Sequence, residues 1–194
     1  MKTLQLTNLT NRFNKKARYK LGNWCVNYKN YNDKKIKIID YHWNDRKKLF
    51  KDYFYLKKLK KKILVLLKNE LNKLYNENND LRYWQIILDP HLSYIISTFF
   101  DRWEVINSLK GNYSYINYNF QNKDLFFQDT EDFIREIISN DYINQYIFQE
   151  IIKFKFKKKL IINENININR IYKKKKKYLH QVDKTKKIKN LLSK

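Results

Sequence analysis

The spacing of apolar residues along the chain first predicts a long helix. After Asn44 and Asp45, either of which can cap a helix, apolar side chains recur at helical spacing and lysines fill the other faces. This pattern is typical of an amphipathic helix that packs one stripe against the rest of the protein. Its apolar positions are Leu49, Tyr53, Leu56, Ile63, Leu67 and Leu74.

The next apolar stretch predicts two helices rather than one. Asp80 can cap the first of them, and Pro90 should interrupt it, because proline disfavours the helical conformation of the preceding residue. Asp89 and Pro90 then serve as the cap and the first residue of another helix. Gly111 is a natural end for that helix, because glycine readily adopts the conformation that follows a helix.

Three short segments, residues 18–26, 35–41 and 113–120, have the aromatic and β-branched composition of strands. Two further helices are predicted at residues 129–138 and 141–154, and acidic residues open the first of them. Strands that alternate with helices favour an α/β domain with a small parallel sheet and a long helical insertion. A mainly α domain is the alternative, because helical residues outnumber strand residues in this prediction.

Composition divides the chain into three parts. Residues 1–17 form an N-terminal segment, residues 18–154 carry the predicted domain, and residues 155–194 form a basic linker or tail with runs of lysine. The whole chain has a net charge of +23, from 42 Lys and Arg against 19 Asp and Glu. This charge suits a module that binds nucleic acid or an anionic membrane. Codon usage in an AT-rich genome is the competing explanation, because the chain is rich in Lys, Asn and Ile and has only 2 Gly and 1 Pro.

Cysteine usage and hydropathy indicate the cellular location. Cys25 is the only cysteine, so an internal disulfide is impossible and a reducing cytoplasm is expected. The N-terminus lacks an apolar signal sequence, and no apolar stretch has the length of a membrane span. We therefore expect a cytoplasmic protein, with the inner face of the membrane as an optional partner of the basic tail.

Strong signatures of nucleotide or metal chemistry are absent from the sequence. It contains no P-loop, GxGxxG, HExxH or CxxC motif. With Gly22 and Gly111 as its only glycines, the chain offers few positions where the backbone could approach a pyrophosphate closely. We therefore expect neither a metal nor a cofactor bound to this chain.

Candidate chemistry lies instead in motifs that combine polar and aromatic residues. DYHWNDR contains His42, Asp45 and Arg46. His42 suits a general base, but Asp45 also suits a helix cap and His42 a buried structural histidine. FFDRW contains Asp101 and Arg102, which suit either a forked phosphate or carboxylate site or a structural ion pair.

Two further motifs carry weaker signals. RYW joins Arg82 to Trp84, a combination that suits either sugar stacking or the edge of a core. LGNWC places Gly22 at a predicted strand end, where it would permit a sharp turn, close approach by a ligand, or packing beside a tryptophan.

Together these motifs resemble those of a bacterial surface-carbohydrate transferase family whose genes lie in O-antigen regions. The resemblance covers about residues 18–154 and rests on LGNWC, YHWNDR, RYW, Pro90 and FDRW. Asn23 stands where the family usually has an acid, and Asp89 and His91 replace a Gly and a Trp. The resemblance implies the Rossmann-like, acceptor-side half of a two-domain glycosyltransferase-like fold.

The same resemblance implies roles, partners and an incomplete enzyme. Family members continue beyond this length, so an activated sugar donor is expected to bind a C-terminal transferase half or a separate donor-binding subunit. This chain alone is expected to be inactive. The residues expected to be catalytic are His42, Asp45 and Asp101, and those expected to bind substrate are Gly22, Arg46, Arg82, Trp84 and Arg102.

Overall fold

A parallel sheet forms the centre of the fold. The computed structural model describes residues 2–9, 17–26, 35–111, 113–118, 127, 129–155 and 161–163. Within these residues, all neighbouring strands of one five-stranded sheet run parallel, in the order β3-β2-β1-β4-β5. The strands are β1 (Lys2–Gln5), β2 (Tyr19–Lys20), β3 (Lys37–Ile38), β4 (Tyr113–Asn117) and β5 (Ile161–Asn163).

A long helical hairpin is inserted between β3 and β4, and two shorter helices connect β4 to β5. This arrangement confirms the predicted α/β fold with a small parallel sheet and a long helical insertion. Two 3₁₀ turns, Asn23–Cys25 and His42–Asn44, follow β2 and β3. The helices of the described part are α1 (Arg46–Tyr75), α2 (Leu81–Asn107), α3 (Thr130–Ser139) and α4 (Asp141–Lys155).

Aspartate caps begin three of these helices, as the local sequence predicts. Each aspartate side chain accepts a hydrogen bond from a backbone N–H of the first turn, Asp45 at 2.9 Å, Asp80 at 2.7 Å and Asp129 at 2.7 Å. Such a bond satisfies a donor that has no partner inside the helix. The predicted starts of α1, α2 and α3 are therefore confirmed.

The predicted interruption at Pro90 is wrong, because α2 is continuous through it. An interior proline costs about 3 kcal/mol and deprives the carbonyl four residues earlier of its donor. Here that carbonyl belongs to Ile86, a residue 65% exposed to water. On the hairpin's inner side, Leu92 is buried against α1, and Asp89 pairs with Lys60 at 2.8 Å. This packing against α1 keeps the helix intact.

The strand predictions were incomplete. The central strand, β1, lies in segment 1–17, and β5 lies in the basic segment 155–194. The segments predicted at 18–26 and 35–41 are also too long, because β2 and β3 have two residues each and give way to the 3₁₀ turns. A strand this short is stabilised by its pairing with neighbours rather than by its own composition.

Two apolar cores stabilise the structure. The larger packs the sheet against the end of α2 and against α3 and α4, with Ile106, Ile143 and Phe148 almost fully buried. The smaller lies between α1 and α2 and contains Leu64 and Trp84. The hairpin thus has packing of its own and meets the sheet at the end where α1 begins and α2 ends.

Buried amides close the carboxyl end of the two central strands. Thr7, after β1, donates its hydroxyl to Gln145 at 2.8 Å, and Gln145 donates to Gln149 at 3.0 Å. The Gln149 amide accepts from the backbone N–H of Tyr118 at 2.9 Å and donates to its carbonyl at 3.0 Å. Both glutamines are fully buried. α4 is thereby fixed across the strand ends.

The thiol of Cys25 is buried beside β1. Its side chain is inaccessible to solvent, and Sγ lies 3.4 Å from the carbonyl oxygen of Gln5. Burial raises the pKa of the Cys25 thiol to about 12. The native thiol therefore keeps its proton at a pH where the same thiol in the unfolded chain would lose it.

We expect Cys25 to react with an aromatic disulfide reagent at pH 8 only after denaturation. We also expect the free energy of unfolding to fall as pH rises above 9.0, the ordinary thiol pKa, towards about 12, because only the unfolded chain releases the proton in this range. Cys25→Ala should lack this dependence on pH. The free energies of unfolding of the two proteins, measured in urea at several pH values, therefore differ by the contribution of the thiol. Rapid modification of the native thiol would contradict this prediction.

Candidate functional site

Polar and aromatic side chains collect where the strands end at the carboxyl edge of the sheet. The segment after β3 supplies Tyr41 and His42, and the segment after β2 supplies Trp24. The end of α2 contributes Asp101 and Arg102 to the same region. In open parallel α/β sheets, this edge is where ligands bind.

Asp101 is the centre of this cluster. Its Oδ1 accepts a hydrogen bond from the Tyr41 hydroxyl at 2.6 Å and contacts Nε2 of His42 at 3.0 Å. Its Oδ2 pairs with the guanidinium of Arg102. Burial raises the pKa of the Tyr41 hydroxyl, and the hydrogen bond to Asp101 raises it further, so Tyr41 remains a donor at neutral pH.

A second contact fixes the guanidinium of Arg102. Its Nε and one terminal nitrogen donate to Oδ1 of Asn144 on α4, at 3.3 and 3.0 Å. The Asn144 amide in turn donates to the carbonyl of Ile137 at 2.7 Å. Arg102 keeps 21% of its side chain exposed. A cation is therefore held in one orientation while part of it still faces solvent.

His42 lies beneath this cluster rather than in the open. Its side chain is 1% exposed, and Nδ1 has no hydrogen-bond partner among the described residues. Because a carboxylate only accepts hydrogen bonds, Nε2 carries the proton that faces Asp101, and in the neutral ring Nδ1 then presents a lone pair. The ring is thus oriented by Asp101.

Gly22 is required by the position of Trp24. Its φ of −169° is extended backbone that any residue can adopt. A Cβ at this position, however, would lie 2.3 Å from the Trp24 ring. The indole is otherwise fixed by its hydrogen bond to the carbonyl of Leu6 at 3.0 Å and by stacking on Phe148. With 39% of its area exposed, Trp24 offers an aromatic surface to a ligand.

Trp24 and Arg102 line the same cavity of ≈220 Å³. The indole of Trp24, the fixed guanidinium of Arg102 and the carboxylate of Asp141 lie around it. This set can stack on a sugar ring and pair with a phosphate or carboxylate. The other lining residues are Ile137, Ile138, Asp141, Asn144 and Phe148.

Residues 2–194 match the family model described as LIC12162 family transferase. The chain belongs to the LIC12162 transferase family. This result confirms the predicted transferase relationship. Neither a curated protein nor a solved structure matches the chain significantly. In the described part of this LIC12162 family member, no helix has the length and apolarity needed to cross a membrane.

Other predicted site residues of this LIC12162 family chain lie elsewhere. Asp45 is exposed and caps α1, and Arg46 is the exposed first residue of that helix. Arg82 is exposed near the start of α2, and Trp84 donates to Asn72 at 2.7 Å inside the hairpin core. At 1.5 Å per helical residue, Arg82 lies roughly 28 Å along α2 from the Asp101 cluster. The structure therefore brings His42, Asp101 and Arg102 together and places Gly22 beside Trp24, whereas Arg82 and Trp84 lie near the other end of α2.

A neighbouring cluster of charged side chains was not predicted from the sequence. The ammonium of Lys48 lies 2.8 Å from Asp52 and 2.7 Å from Glu104, and Trp43 donates to Asp52 at 3.0 Å. Burial lowers the pKa of Lys48, but its hydrogen bonds to the two carboxylates outweigh this effect, and the pKa is raised. Lys48 and Asp52 stand among the many lysines of α1, whereas Glu104 lies on α2, so no local spacing in the sequence shows that these side chains meet. Trp24, in contrast, was visible in the LGNWC motif.

We predict that Gly22→Ala displaces Trp24 and lowers the free energy of unfolding by about 1–3 kcal/mol, as expected for overpacking. The indole N–H resonance of Trp24, assigned with Trp24→Phe, should shift in the NMR spectrum because its hydrogen bond to Leu6 is disturbed. Asn23→Ala, at the exposed next residue, is the control. An unshifted Trp24 resonance in Gly22→Ala would show that the space is not needed.

Proposed function

We propose that this chain is the acceptor-side part of a glycosyltransferase-like enzyme of bacterial surface polysaccharide biosynthesis. Family membership supports a transferase, and the motifs that resemble O-antigen-region transferases support the choice of polysaccharide. The observation that carries the proposal is the exposed indole of Trp24 beside the fixed guanidinium of Arg102 in one cavity. In this proposal the cavity binds a phosphorylated sugar of the acceptor.

The chemistry of the cavity suits such an acceptor. Indole faces stack against the apolar face of a sugar ring, and a guanidinium forms two parallel hydrogen bonds with a phosphate. Contacts with Asp101 and Asn144 orient Arg102 before a ligand arrives. Orientation in advance lowers the entropy cost of binding. Asp101 is thus a positioning residue for Arg102, in addition to its contact with His42.

The activated sugar donor is assigned to another part of the enzyme. A donor pyrophosphate is usually bound by backbone N–H groups in a glycine-rich turn. In this chain Gly22 makes room for Trp24, and Gly111 follows α2 on the way to β4. We therefore propose that a C-terminal transferase half or a separate subunit binds the donor, and that transfer occurs only when both parts are joined.

Glucose 1-phosphate is a suitable probe of the cavity, with saturation-transfer NMR as the measurement. Arg102→Ala should weaken binding roughly tenfold or more, because charged hydrogen bonds contribute about 1.5–3 kcal/mol each. Trp24→Ala should remove saturation transfer to the sugar ring protons, whereas Trp24→Phe should retain part of it. Arg102→Lys should bind less well than the parent, because lysine lacks the forked geometry.

Matched controls lie at the far end of the hairpin. Arg82→Ala removes an exposed arginine, and Tyr83→Ala removes an aromatic residue that is 45% exposed, close to the 39% of Trp24. Neither control should change binding. Equal binding by Arg102→Ala and Arg82→Ala would contradict the assignment of the cavity.

We further propose that the enzyme associates with the inner face of the membrane through the start of α1. Phe50 is 66% exposed, Tyr53 56% and Phe54 45%, and their rings contact one another. α1 carries eleven Lys and Arg residues against two acidic residues. Exposed aromatic residues flanked by lysines are typical of helices that lie in the interface of anionic membranes. The sequence placed this contact in the basic tail, most of which lies outside the described residues.

Cosedimentation with vesicles tests the membrane contact. Phe50→Ser with Phe54→Ser, and separately Lys57→Gln with Lys58→Gln, should each weaken binding to phosphatidylglycerol-containing vesicles roughly tenfold or more. Leu74→Ser with Phe154→Ser is the control, because both residues are more than 70% exposed elsewhere. Equal binding to neutral vesicles, or equal loss in the control, would refute this membrane surface.

A further inference from the structure

A histidine and two carboxylates converge beside the Asp101 cluster. One potential ligand atom from each of His42, Asp52 and Glu104 lies within 4.8 Å of the others. The three residues come from the turn after β3, from α1 and from the end of α2. Their side chains are 1%, 11% and 17% exposed. Two carboxylates this close together and this far from water repel each other, and a cation between them relieves that repulsion.

His42 provides an independent indication of a ligand. Its Nδ1 is buried and lacks a hydrogen-bond partner within the described residues, while Nε2 contacts Asp101 at 3.0 Å. A buried nitrogen without a partner is costly unless something binds its lone pair. Histidines that bind metals commonly use the other ring nitrogen to donate to a carboxylate, which fixes the ring. The Asp101–His42 pair has this arrangement.

We propose that His42, Asp52 and Glu104 bind a divalent transition metal ion, Zn²⁺ or Mn²⁺, and that Asp101 orients His42 for this role. One imidazole and two carboxylates form a mixed nitrogen and oxygen set, which suits these ions better than Ca²⁺ or Cu⁺. The ligands are spread over three elements, which explains why no metal motif is present in the sequence.

Lys48 supplies a cation to the two carboxylates. Its ammonium lies between Asp52 and Glu104, and its side chain is 30% exposed. It can therefore turn out to water when a metal ion takes its place. A metal ion and the Lys48 ammonium cannot contact the two carboxylates at the same time, so competition with Lys48 should lower the affinity for the metal.

Open coordination positions would face a second cavity. Asp52 and Glu104 line a space of ≈690 Å³ together with Tyr55, Phe100 and Trp103. A phosphate or hydroxyl oxygen of a ligand in this space could complete the coordination, as at metal sites with three protein ligands. The metal proposal does not depend on the sugar-phosphate cavity, because metal binding is measured without any sugar.

Cobalt(II) titration of the whole chain after dialysis against a chelator tests the proposal. We expect visible absorption bands that Zn²⁺ displaces. Glu104→Gln and His42→Gln should each weaken Co²⁺ binding at least about tenfold, and Asp101→Asn about 10–100-fold, the range for residues that orient a ligand. Lys48→Met should strengthen binding, because the competing ammonium is gone.

The control is an ion pair of similar geometry on the same hairpin. Lys60 lies 2.8 Å from Asp89, and among the described residues Asp89 belongs to no group of three possible metal ligands. Asp89→Asn and Lys60→Met should leave Co²⁺ binding unchanged. Glu104→Gln and Lys48→Met alter partly exposed side chains, so they remain informative if His42→Gln does not fold. Absence of Co²⁺ bands in both the parent and Lys48→Met would overturn the metal site, as would parent-like binding by Glu104→Gln.

Discussion

The structure depends on the burial of one carboxylate, that of Asp101. A buried charge that loses its partners costs several kcal/mol, so Tyr41, His42 and Arg102 must all reach it. Tyr41 and His42 fix the turn after β3, and Arg102 extends the connection to α4 through Asn144. The edge of the sheet, the base of the helical hairpin and α4 are therefore connected through a single side chain. Arg102, its ion-pair partner, lines the cavity beside Trp24, and His42, a proposed metal ligand, contacts Asp101 directly.

Local sequence predicted those parts of the fold that local interactions decide. Asp45 and Asp80 are helix caps because each side chain satisfies N–H groups only two or three residues away. The break predicted at Pro90 was wrong because contacts with α1 stabilise α2, and a short stretch of sequence does not reveal those contacts. β1 was not predicted because a strand of four residues is too short to show a clear alternation of apolar and polar positions. Its pairing with β2 and β4 nevertheless makes it the central strand.

The same distinction applies to the candidate site. His42, Asp101 and Arg102 stood out because aromatic residues surround them, but their mutual contact joins residues 59 positions apart and follows only from the fold. Arg82 and Trp84 have a similar local composition, yet the length of α2 separates them from the cluster. Lys48 and Asp52 had no signal, because one acid among many lysines is ordinary in a helix of this composition, and Glu104 had none because its lysine partner lies on another helix. Asn144 likewise became recognisable only through the guanidinium that it holds.

The amide of Gln149 has a consequence for how a ligand can approach the sheet. By accepting from the N–H of Tyr118 and donating to its carbonyl, this side chain imitates one peptide unit of an additional strand. Together with Gln145 and Thr7, it plugs the gap between the ends of β1 and β4. In doubly wound sheets with this strand order, that gap is the crevice where a dinucleotide lies. Buried amides therefore fill that crevice in this chain, and the exposed aromatic face at this edge of the sheet is that of Trp24, in the turn after β2.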